Sequence, residues 1–135
     1  MFTEARTNEG LSSLAWSIRA FHTTAKEIQA VAVIELTRET FASEVLAEKR
    51  MVVVDFWASY CMPCRMLIPV LEEASTARSD VKFCKINVDD AQDIAERYGV
   101  MSMPILIFFK NGEPVDESIG LITKDELLAI LEKNK

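Results

Sequence analysis

Two cysteines separated by two residues, in Cys61-Met62-Pro63-Cys64, are the residues of this chain best suited to chemistry. If the pair opens a helix, the free backbone N–H groups and the helix dipole favour negative charge on the first sulfur. Cys61 is then the better nucleophile. It can attack a disulfide in another protein to form a mixed disulfide, which Cys64, one turn deeper, resolves by attacking the Cys61 sulfur. Each turnover moves two electrons. Two other uses of the pair stay open at this point. A zinc ion would need four ligands, and beyond the pair there are only Cys84, inside a strand-like run, and His22, in a detached N-terminal segment. No metal is therefore expected. An inert structural disulfide would close too short a loop to add much stability.

The elements that must position the pair are legible around it. Met51 to Trp57 is a nearly all-apolar, β-branched run, as expected of a central strand covered on both faces, and it aims directly at the cysteines. The helix after it should run from Cys61 to about Ala77, bent by Pro69. Upstream, Val33 to Leu36 predicts a short strand, and Thr37 can cap a helix from Arg38 to about Lys49 with Phe41, Val45 and Leu46 on one face. Downstream, Val81 to Val88 predicts a third strand, followed by a helix from Ala91 to Tyr98 that Asp90 caps and Gly99 ends. Strands alternating with helices in this way point to parallel crossovers. The ending differs: Pro104 to Lys110 and Glu113 to Ile119 flank Asn111-Gly112, a strong hairpin signal, so this pair should be antiparallel. Thr123-Lys124-Asp125-Glu126 has capping-box form and opens a last helix that buries Leu127, Leu128, Ile130 and Leu131. The expected fold class is α/β, with a mixed five-stranded sheet between helices.

A chain of 135 residues, 50 % of them hydrophobic, suits one compact core. The formal charge of −6 argues against a nucleic-acid partner, because phosphate binding needs clustered Lys and Arg. No run approaches the roughly 18 apolar residues of a membrane span, so no membrane partner is expected. Three cysteines are too few for a disulfide scaffold, and a reducing compartment is the natural home. Residues 1–30 stand apart from the domain at 31–135. Leu11, Leu14, Ile18, Phe21, Ala25 and Ile28 step by three and four, as on an amphipathic helix. Arg19 to Thr24 has the look of a matrix-processing point, whereas Glu4, Glu9 and Glu27 offset Arg6, Arg19 and Lys26, unlike acid-poor transit peptides. Two readings of this segment remain: an extension of a cytoplasmic protein, or a mitochondrial targeting sequence.

The segment Val53-Val54-Asp55-Phe56-Trp57-Ala58-Ser59-Tyr60-Cys61-Met62-Pro63-Cys64-Arg65 resembles the active-site segment of the thioredoxin family. Asn87-Val88-Asp89, Tyr98-Gly99-Val100, Met103-Pro104, Phe108 to Gly112 and Gly120 recur in family order, so the similarity covers about Val31 to Lys135. It implies the thioredoxin fold, its sheet flanked by four helices, and a protein dithiol–disulfide oxidoreductase that reduces disulfide-containing proteins without a cofactor. A flavoenzyme like thioredoxin reductase would be the electron donor. By the resemblance, Cys61 is the exposed nucleophile and Cys64 the buried resolving thiol. Asp55 is a buried acid that assists proton transfer, moderated by Lys85. Pro104 is a cis-proline beside the disulfide that leaves the Met103 backbone free for a partner strand. Trp57, Tyr60, Met62, Pro63 and Gly120 complete the substrate surface, with Gly99 and Ser102 on its loops. Apart from the resemblance, an aspartate in an apolar central strand is costly unless used.

Three departures from the family pattern stand out. Tyr60 replaces the usual tryptophan and keeps a flat aromatic rim. Met62 replaces glycine and adds a flexible apolar side chain at the tip, which should alter partner choice and redox poise. Ile105 replaces a common threonine and should make the groove floor more apolar. Cys84 has no family role and is expected to be a buried thiol. Within the same fold two other functions remain: an oxidase or isomerase of disulfides, and a binding module that holds partners without turnover.

Overall fold

The computed structural model describes residues 32–135. The N-terminal segment at 1–30, with its amphipathic periodicity and its targeting reading, lies outside the described residues. Five strands form one mixed sheet in the order β1 (Val33–Leu36), β3 (Lys82–Asn87), β2 (Val52–Trp57), β4 (Ile105–Lys110) and β5 (Glu113–Ile119). β3 pairs in parallel with both β1 and β2, and β4 and β5 run antiparallel to their neighbours. Four helices flank the sheet: α1 (Ala42–Leu46), α2 (Met62–Ala77), α3 (Gln92–Arg97) and α4 (Lys124–Lys133).

The period of two along each strand divides the core between the two sheet faces. Val52, Val54 and Phe56 of β2 join Phe41, Val45, Ile94, Ile107 and Phe109 on the α1 and α3 side. Val53 joins Leu67, Leu71, Phe83, Leu106, Phe108, Leu127 and Leu131 on the α2 and α4 side. β2 is therefore covered on both faces, as its unbroken apolar run requires. Asp55 is the one charged residue within it and is 0 % exposed.

Two local expectations need correction. The first helix is a five-residue segment wound with π spacing, not a regular helix from Arg38 to Lys49. Thr37 does cap the turn before it, its hydroxyl accepting the Thr40 N–H at 3.2 Å. One of its carbonyls is claimed from outside, the Lys82 ammonium donating to the Glu44 carbonyl at 2.9 Å, and the segment closes on its own wide turn, Ala47 N–H donating to the Ala42 carbonyl at 3.0 Å. The Glu48 carboxylate then accepts the Arg50 backbone N–H, turning the chain into β2. The second correction concerns Asp90. It is used up in a 3-10 turn, Val88–Asp90, capped by the Asn87 side chain, and α3 starts at Gln92 with Ala91 as its N-cap and no side-chain cap.

The hairpin and the last helix form as the sequence predicts. Asn111 and Gly112 have φ of 54° and 80°, the positive pair that matches the right-handed strand twist. A Cβ at Gly112 would lie 2.6 Å from the Leu46 carbonyl oxygen. Gly112→Ala combines that clash with a left-handed backbone and is expected to destabilise the protein by about 2–3 kcal/mol, read from the urea midpoint. β5 lies at the sheet edge, where Pro114 costs no ladder hydrogen bond and Glu113, Asp116 and Glu117 discourage edge pairing. Thr123 and Glu126 form the reciprocal capping box of α4.

Candidate active site

Strand register brings four separate segments to one end of the sheet. Phe56 pairs with Ile105, Trp57 with Asn87, and Ile105 with Ile119. The turn after β2, the Val88–Asp90 turn after β3, the loop before β4 and Gly120 after β5 therefore share an edge. The first of these carries the cysteines. Ligand sites of open α/β sheets favour this end, beyond the carboxyl termini of the parallel strands.

Cys61 is the N-cap of α2, a helix of 16 residues. Its sulfur accepts the backbone N–H of Cys64 at 3.3 Å, and its own N–H donates to Ala58 at 3.1 Å. Pro63 falls in the first turn, where its missing N–H would have been unpaired in any case. Cys61 and Cys64 are joined as a disulfide with Cα atoms 5.3 Å apart. Cys64 is fully buried and Cys61 half-buried, so an incoming reactant meets Cys61 first. A thiolate released at Cys61 would face the N-terminus of a four-turn helix and an N–H already directed at it.

Around the pair lies an apolar rim. Tyr60 is 71 % exposed, Met62 61 % and Met101 94 %. Met103 is half-buried, packs on the same core cluster as Cys61, and precedes a cis peptide bond to the buried Pro104. Gly120 N–H donates to the Pro104 carbonyl at 2.7 Å, which ties the end of β5 to this loop. Ile105 does not line the groove floor as its type suggested; it is 3 % exposed and packs in the core with Phe56 and Ala58. A cleft of about 220 Å³ opens beside Met101 and Met103, bordered by Val88, Ala95, Asp89 and Glu96. Met101 and this cleft escaped the sequence reading, because loop side chains carry no periodicity to mark them.

Asp55 lies on the sheet face that α2 covers, since it shares the parity of Val53. Both its carboxylate oxygens are buried without a hydrogen-bond partner among the described residues. Burial is the main cause that pushes its pKa up to about 7; the nearby Lys85 works against the rise and Glu35 adds to it. Lys85 stands opposite Asp55 in the parallel register, with its ammonium 5.4 Å from the centre of the Trp57 ring. Cys84 points to the other face, where burial raises its pKa to about 12 and leaves it an unreactive thiol. The sequence-predicted site residues thus fall into two groups at one end of the sheet: a surface around Cys61, and Asp55 with Lys85 within the α2 face.

A thioredoxin family model matches residues 32–133. The chain is 43 % identical over 100 residues to a thioredoxin of Rickettsia bellii, covering 73 % of this chain and 95 % of the relative. It is 44 % identical over 104 residues to a thioredoxin of Pyropia yezoensis, covering 76 % and 97 % respectively. A thioredoxin of Mycobacterium tuberculosis is 44 % identical over 98 residues, covering 72 % and 84 %.

Proposed function

This chain belongs to the thioredoxin family and is a protein dithiol–disulfide oxidoreductase, and we propose that Cys61 is its nucleophile, Cys64 its resolving thiol and Asp55 its proton acceptor. The observation that carries the assignment is the Cys64 N–H directed at the Cys61 sulfur at the N-terminus of α2. In the reduced protein the Cys61 thiolate attacks one sulfur of a substrate disulfide. A Cys61–substrate disulfide forms and the other substrate sulfur leaves as a thiolate. Cys64 then gives its proton to the Asp55 carboxylate and attacks the Cys61 sulfur. The Cys61–Cys64 disulfide closes, the second substrate sulfur leaves as a thiolate, and two electrons have passed to the substrate.

Asp55 suits the proton step because its pKa, pushed up to about 7, lets it bind and release a proton near neutral pH. Lys85 moderates that acid. Trp57, Tyr60, Met62, Pro63 and Gly120 form the substrate surface, and the Met103 backbone beside Pro104 pairs with an extended substrate chain. Met62 and Met103 suit varied apolar partners, since unbranched thioethers adapt to many shapes. The oxidised pair returns to the dithiol by accepting two electrons from a thioredoxin-reductase-like flavoenzyme. The protein works in a reducing compartment, the cytoplasm, where it contributes to electron transport and redox homeostasis.

Two measurements test this reading. The purified protein is expected to catalyse reduction of insulin disulfides by dithiothreitol. Its redox equilibrium with glutathione, read by thiol alkylation and mass, should lie near thioredoxin's potential of about −270 mV. A potential near about −120 mV would instead assign it to disulfide formation. Failure to reduce insulin would remove the reductase assignment.

A further inference from the structure

One row of side chains runs across four strands on the α2 face. Glu35 of β1 pairs with Lys85 of β3, Lys85 with Asp55 of β2, and Asp55 with Leu106 of β4. Val33, Phe83 and Val53, two positions back on β1, β3 and β2, all pack on the cluster beneath α2 and α4, so the row faces the same way. Its three charges alternate in sign from the sheet edge inward. Lys85 Nζ sits 3.6 Å from Glu35 Oε1 and forms no ion pair with Asp55. The Lys85 cation is thus shared between the Glu35 carboxylate of β1 and the Trp57 ring of β2, while the buried acid beside it has no hydrogen-bond partner among the described residues.

We propose that Glu35 is a positioning residue for disulfide exchange: from the edge strand it draws the Lys85 ammonium away from Asp55, so that the buried acid can hold a proton at the pH where Cys64 must give one up. The idea deepens the proton role proposed for Asp55 and rests on it. The electrostatics have two parts of the same sign. Glu35 repels a negative charge on Asp55 across the row, and by occupying Lys85 it weakens the one cation that would stabilise that charge. Among the described residues, no other charged group faces Asp55 from the elements packed on it. β4 presents Leu106; α2 buries Leu67, Leu71 and Cys64, and α4 presents Leu127 and Leu131. The remaining charged cluster of β3, Lys82 with Glu44 and Glu48, has the opposite parity and sits on the α1 side. Glu35 is half exposed, so its effect is modest and weakens as salt is added.

The experiment follows the Asp55 carboxyl carbon by NMR across pH in the full-length oxidised protein. Glu35→Gln keeps the length and removes the charge. It is expected to lower the Asp55 titration midpoint by about 0.5 pH unit, the size of a half-exposed charge pair. Lys85→Gln should raise the midpoint, and in that background Glu35→Gln should have a smaller effect, because the route through Lys85 is gone. An Asp55 midpoint unmoved by Glu35→Gln overturns the proposal. So does a shift of the same size with and without Lys85, which would leave Glu35 acting by repulsion alone. The pH–rate profile of insulin reduction separates this inference from the reading it rests on. If the profile follows the midpoint, both stand; if the midpoint moves and the profile does not, the Glu35–Lys85 relation stands and the proton role of Asp55 falls.

Discussion

Cys64→Ser is expected to stop turnover after the first chemical step and to trap the substrate on Cys61. The substitution leaves Cys61 activated, because the hydrogen bond to its sulfur comes from the Cys64 backbone N–H and not from the side chain. Attack on a substrate disulfide therefore proceeds. Resolution does not: a hydroxyl at position 64 stays protonated where a thiol would ionise, and an alkoxide has no favourable route to a sulfur–sulfur bond. Full burial of position 64 also keeps external thiols from approaching from that side. Insulin reduction should fall about 10³-fold or more, while a Cys61-linked insulin chain accumulates and is read by mass under non-reducing conditions. Cys61→Ser should lose as much rate and accumulate no adduct. The contrast between the two variants assigns the order of attack. Turnover retained by Cys64→Ser would mean that a second substrate thiol resolves the intermediate, and Cys64 would lose its role.

The parts of this site that the sequence makes legible are those tied to a repeating or local signal. A hydrophobic run of strand length predicts β2, Asn111-Gly112 predicts the hairpin, and Thr123 with Glu126 predicts the start of α4; each of these signals lies within a few consecutive residues. The motif Cys61-Met62-Pro63-Cys64 is local in the same sense. What escaped depends on distant partners. Lys82, nearly 40 positions downstream of α1, takes the Glu44 carbonyl of a short π-wound segment that stands where a regular helix is expected. Asp90 has the chemistry of a cap but is drawn into the turn that Asn87 closes. Ile105 follows a proline of the site loop, yet strand parity turns it into the core with Phe56. Glu35 is the clearest case: in sequence it is one acid in a short strand, and only the register of β1 on β3 sets it against Lys85.

Asp55→Asn is expected to reverse its effect on stability as pH rises. In the folded protein the Asp55 pKa is pushed up to about 7 from an ordinary value of 3.8, chiefly by burial. Between these values the unfolded chain has already released the proton and the folded chain still holds it. Unfolding then releases a proton, so stability falls as pH rises. Below 3.8 both states are protonated and the contribution is complete; above 7 it is gone. At about 1.4 kcal/mol per pH unit, the wild-type protein loses at most about 4 kcal/mol across the window from this group. The carboxylates of Glu48, Asp80, Asp93, Asp116, Glu126 and Glu132 are held below their ordinary range by hydrogen bonds and basic neighbours. They act with the opposite sign at lower pH and are common to both proteins, so they cancel in the difference. Asparagine keeps the shape and does not titrate, but it places an amide where the described residues offer no hydrogen-bond partner, at a cost of about 1–3 kcal/mol. The variant should therefore be the less stable protein near pH 4 and the more stable one at pH 8.5, with the crossing between them read from urea unfolding of the oxidised forms. A difference that stays constant over this range would mean that Asp55 ionises in the fold much as it does in water. An acid of that kind is already ionised well below neutral pH and could not hold the proton that Cys64 must lose.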